Sequence, residues 1–91
     1  MRYKTVKDVI EFASKLKADD TADNLLSIHL EFYDGDDFVG ELVKNMYSEY
    51  TSTAFKSKSL LDYVVEDFKI EMREYCVAFV LSIKKPTSIQ Y

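Results

Sequence analysis

A stretch that is apolar on both of its alternating faces constrains this chain most tightly. From Cys76 to Ile83, the residues Val77, Phe79, Leu81 and Ile83 alternate with Cys76, Ala78, Val80 and Ser82, so an extended strand here is almost wholly apolar on either side. Such a strand belongs in the middle of a sheet, paired along both edges. It ends at Lys84-Lys85-Pro86. A second strand is predicted at 26–33. There Leu26, Ile28, Leu30 and Phe32 alternate with Ser27, His29, Glu31 and Tyr33, giving one face to bury and one polar face. Asp34-Gly35-Asp36 follows as turn chemistry, because glycine accepts a positive φ.

Helical spacing occurs in two places. Thr5 is placed to cap a first helix by accepting from the Asp8 amide, and Val6, Val9, Ile10, Ala13 and Leu16 carry its apolar stripe to about Ala18. Ser59 is placed to cap a second, along which Leu61, Val64, Val65, Phe68, Met72 and Tyr75 form another stripe. Between them, residues 37–58 admit two readings. Phe38, Leu42, Val43, Met46 and Tyr50 fit a helix over 37–50 capped by Asp37. The same residues fit strands at about Phe38–Met46 and Glu49–Phe55, and Gly40 with Tyr50-Thr51-Ser52-Thr53 favours the strands. The expected architecture is one α+β domain over residues 1–91, in the order α-β-β-β-α-β. It has a mostly antiparallel sheet with two amphipathic helices packed on it.

The 91 residues suffice for one hydrophobic core without metals or disulfides. A single cysteine in apolar surroundings fits a reducing compartment, and no apolar run approaches the ~20 residues that a bilayer demands, so a cytoplasmic protein with no membrane partner is expected. Catalytic chemistry finds little to stand on. His29 lies on the polar face of its strand and Cys76 in the apolar one, where burial would raise the thiol pKa. Zinc needs more His and Cys ligands than these two residues supply. Asp34, Asp36 and Asp37 lack the ligand order of a calcium loop, and no phosphate-cradling glycine motif is present. The chain is expected to have no catalytic residues and no cofactor.

The charge distribution is uneven. Residues 1–18 carry a net +3 and residues 50–91 a net +1, whereas residues 19–49 carry −8. That segment holds Asp19, Asp20, Asp23, Glu31, Asp34, Asp36, Asp37, Glu41 and Glu49 against Lys44 alone. Solubility and turn formation are one reading of such a pattern. A negative surface built to meet a positive one is the other, and on that reading these nine acids are the candidate partner-binding residues. Direct nucleic-acid binding needs a basic face, so a basic protein surface, commonest on DNA-binding proteins, is the expected partner. Carboxylates two apart on a strand lie ~6.8 Å apart, comparable to successive backbone phosphates.

Size, acidity, the central acidic segment with Asp34-Gly35-Asp36-Asp37, and the lack of catalytic groups together resemble the small acidic DNA-mimic inhibitors of phages. The anti-restriction nuclease proteins of T-even phages are the most similar of these. The resemblance is one of overall composition, and twelve Lys and Arg residues are many for a DNA mimic. It implies an inhibitor, acting as a homodimer, that occupies the DNA-binding surface of a host restriction or nucleoid protein. An ordinary interaction or assembly subunit is the alternative.

Overall fold

The computed structural model describes residues 5–15, 26–47 and 51–86, and they form an α+β unit dominated by one sheet. Helix α1 spans Val6–Ser14. The strands are β1 (Ser27–Asp34), β2 (Asp37–Asn45), β3 (Thr51–Phe55), β4 (Val64–Met72) and β5 (Cys76–Lys84), with a short 3-10 helix at Lys58–Asp62. The strand order is β3-β2-β1-β5-β4. Three of the four pairings are antiparallel and the central one, β1 with β5, is parallel, so the sheet is mixed. As its doubly apolar pattern requires, β5 lies inside the sheet between β1 and β4.

The start of α1 follows its sequence. Thr5 Oγ1 accepts from the Asp8 amide at 3.3 Å, and the Asp8 carboxylate accepts from the Thr5 amide at 3.2 Å, closing a capping box. The helix ends at Ser14 with Lys15 as its C-cap, short of the expected end near Ala18, and residues 16–18 lie outside the described residues. The β1–β2 hairpin turns at Gly35, whose φ of 65° is the left-handed conformation the turn needs. Residues 37–45 are strand and not helix.

The second predicted helix is not there. Its stripe is instead divided between the 3-10 helix and the edge strand β4. A β-bulge explains the misreading. Glu66 is an extra residue between the pairs Val65–Ile83 and Asp67–Ser82, so Val65 and Phe68 share a sheet face although three residues apart. That spacing imitates a helix. From Asp67 to Arg73 the alternation of charged and apolar residues is unbroken, and it places Ile70 on the apolar face, where a helix would have set it among charges.

One face of the sheet carries the core. Leu30, Phe32, Leu42, Leu81, Ile83 and Val65 pack there with Val6 and Ala13 of α1 and Leu60 of the 3-10 helix, and Val9, Ile10, Leu61 and Phe79 pack at the margin. The Phe32 and Phe55 rings meet at 5.3 Å, and Gly40, the cross-strand partner of both residues, leaves the room: a Cβ there would overlap the Phe55 ring. The sequence pattern also assigned Phe68 to the core, yet it is 40% exposed, because α1 lies toward β2 and the 3-10 helix and away from outer β4.

Candidate functional site

Alternation along each strand fixes what the opposite face presents. From β1 come Ser27, His29, Glu31 and Tyr33; from β2, Glu41 and Val43; from β5, Cys76, Ala78, Val80 and Ser82; from β4, Asp67, Lys69 and Glu71. No described helix packs on it. Glu31 and Glu41 are direct cross-strand partners, an arrangement of like charges that is unfavourable unless compensated. Arg73 compensates Glu31. Its guanidinium donates to both Glu31 carboxylate oxygens, at 3.0 and 3.2 Å, and to Glu71 Oε1 at 2.8 Å. To do so it reaches from the end of β4 across β5, where Ala78 is small and fully buried. Hydrogen bonding from Arg73 holds the Glu71 carboxyl below its usual range, and the Glu31 carboxylate, followed by that of Glu71, holds Arg73 still more firmly protonated. Lys69 adds an ion pair to Glu71 at 3.7 Å.

The nine predicted acids therefore do not form a single patch of equals. Glu31 is turned inward to Arg73, with its side chain only 16% exposed. Asp34, Asp36 and Asp37 stand exposed together at the β1–β2 hairpin. Asp37 pairs with Lys56 at 3.3 Å, whereas among the described residues no cation lies within ion-pair distance of Asp34 or Asp36. Glu41 is half-buried on the open face and likewise lacks an ion pair among them. Asp19, Asp20, Asp23 and Glu49 lie outside the described residues.

His29 and Cys76 depart from expectation in degree. Both are half-buried, where the sequence suggests an exposed histidine and a buried thiol. They sit at one corner of the open face, since Cys76 is the cross-strand partner of Ser27, whose hydroxyl lies 3.0 Å from His29 Nε2. No hydrogen bond joins the thiol to the imidazole. Among the described residues no three His, Cys, Asp or Glu side chains gather as a metal site requires, and no helix is long and apolar enough to cross a membrane.

Sequence reasoning missed the Arg73 network. The spacing of Glu71 and Arg73 by two residues is a same-face signal on a strand, but a predicted helix concealed it. Glu31 is out of reach without the sheet order, because its partner comes from the far side of β5. Comparison with protein families, with curated proteins and with solved structures returns no match to this chain.

Proposed function

We propose that this chain is a non-enzymatic binding module whose acidic side meets a basic, DNA-contacting protein surface, so that it acts as a DNA-mimic inhibitor. One observation carries the reading: Asp34 and Asp36 stand exposed at the tip of a well-paired hairpin, without an ion pair among the described residues. Lys56, Lys69, Arg73 and Lys84 are by contrast engaged with acids of their own chain. Charge held at a fixed position and not neutralised internally is what steers and orients a charged partner. The strands set the carboxylates in place before binding, so little ordering cost falls on association. A second reading, an interaction or assembly subunit without mimicry, draws support from the exposed Ile70 and Met72 of β4.

A competition experiment separates the two. Proteins from bacterial lysate retained on duplex-DNA resin are bound to labelled DNA, and the complex is titrated with this protein and with the triple variant Asp34→Asn, Asp36→Asn, Asp37→Asn. Mimicry predicts that the unmodified protein releases the DNA without binding DNA itself, that the triple variant is weaker, and that binding falls steeply with salt. A DNA complex that persists at saturating protein removes mimicry and leaves the plain interaction module.

A further inference from the structure

Cross-strand pairing sets one row of residues across the open face: Ala54 of β3, Glu41 of β2, Glu31 of β1, Val80 of β5 and Lys69 of β4. Glu41 is the misfit in that row. It lies directly opposite Glu31, like charge against like, and is half-buried with neither an ion pair nor a side-chain hydrogen bond among the described residues. Arg73 does not relieve it, because its guanidinium is engaged with Glu31 and Glu71. The His29 ring meets Ser27, and Ala54, on the other side of Glu41, carries no charge. A neutral residue at 41 would suit the fold better. Positions that break a local rule with no compensating gain to the fold are where function is found.

An aromatic pair borders the same carboxylate. Val39 is an extra residue between the pairs Phe32–Gly40 and Tyr33–Phe38, so Phe38 is the next residue after Glu41 on the open face of β2. The Phe38 ring is 42% exposed and meets the Tyr33 ring edge to face at 5.4 Å.

We propose that this part of the open face receives an arginine side chain of a partner protein, its guanidinium pairing with Glu41 and lying against the Phe38 ring. Charge complementarity selects that occupant. Arg73 stands between Glu31 and Glu71, and Lys69 pairs with Glu71, so each of these acids has a cation of its own chain and Glu41 alone lacks one. The exposed Ala54 beside it leaves room for a cation from outside. Arginine fits better than lysine, because a planar guanidinium grips a carboxylate with two parallel bonds, sheds water more readily and stacks on an aromatic ring. The inference rests on the basic partner of the proposed function. It extends the contact from the acidic hairpin past Phe38 onto the sheet, with Glu41 in contact and Glu31 held back by Arg73.

An acetylated, amidated peptide Ser-Val-Arg-Val-Ser, with counterparts carrying lysine or uncharged citrulline in place of arginine, serves as the probe. Each is titrated into the isotope-labelled protein and followed by NMR. The arginine peptide should shift the Glu41 carboxyl and Phe38 ring resonances together, with the weak affinity of a single exposed contact. The lysine peptide should bind several-fold more weakly, and the citrulline peptide should shift neither resonance. Glu41→Gln should abolish the Phe38 shift while melting no lower than the parent, since it removes the opposition of Glu31 and Glu41. Shifts confined to Asp34 and Asp36, equal affinity for the three peptides, or an unchanged Phe38 shift in Glu41→Gln overturns the proposal. So does a lower melting temperature of Glu41→Gln, which would show that Glu41 serves the fold. The peptides contain no DNA-contacting surface, so failure here is distinct from failure of mimicry, which the DNA competition reads.

Discussion

On the α1 side of the sheet, Phe32 and Leu42 are fully buried and Leu30, Leu81 and Ile83 nearly so. On the other side the sheet presents Glu31, Lys69 and Glu71, held by ion pairs and not by packing, beside Glu41, which has no ion pair among the described residues. Both faces are written into one set of residues by period-two alternation, yet they obey different physics. Apolar burial stabilises in proportion to area and needs no specific partner, so the covered face can hold the fold by itself. Ion pairs on the open face contribute little in water, so that face and its hairpin can vary at small cost to stability.

The largest effect should come from the covered face. Phe32→Ala removes a fully buried ring in contact with Phe55 and should cost about 3–5 kcal/mol, enough to unfold much of so small a domain at ambient temperature. Chemical denaturation measures it, and a loss below about 1 kcal/mol would show that the core is not where the structure puts it. Gly40→Ala comes next. The added methyl must displace the Phe55 ring, at a cost of about 1–3 kcal/mol, and a Phe55→Ala background should relieve most of the penalty.

The open face should respond less, and with a different pH dependence. Arg73→Gln removes the bridge over β5 and leaves Glu31 facing Glu41 uncompensated, so stability at neutral pH should fall. The sign with pH follows from Glu71, whose carboxyl is held below 4.5 by Arg73. Its contribution is complete above that ordinary value and fades as pH drops through the lowered one. The gap between the parent and Arg73→Gln should therefore close in acid, whereas the Phe32→Ala gap should not. Carboxyl chemical shifts followed by NMR titration check the Glu71 midpoint directly. Smallest of all is the hairpin: the triple Asn variant loses only the exposed Asp37–Lys56 pair and should change stability by less than about 1 kcal/mol.

How much of this was legible in the sequence differs between the faces too. The strand at 76–83, the strand at 26–33, the Gly35 turn and the Thr5 cap each carry a local signal, and each stands in the structure. Strand β4 was misread because one bulged residue, Glu66, breaks its alternation just where Leu61, Val65, Phe68 and Met72 keep helical intervals. The parallel pairing of β1 with β5 leaves no local trace, being fixed by which strands end up adjacent. The same holds for the Arg73–Glu31 bridge, whose partners are forty-two residues apart. Charge was legible as a count along the chain, but not as a surface. Glu31 and Asp34 weigh equally in the −8 of residues 19–49, and only the fold shows one bound within the chain and the other facing solvent.

If the proposed function holds, stability lies on the covered face, recognition lies with the exposed acids, and the two are separable. The most direct test is the stopped-flow association rate of the unmodified protein and of the triple Asn variant with the DNA-contacting protein captured by competition, at low and at physiological salt. The variant should associate more slowly, by a difference that shrinks as salt rises, with a nearly unchanged dissociation rate and melting temperature. Equal association rates at low salt, with the variant still folded, would contradict it.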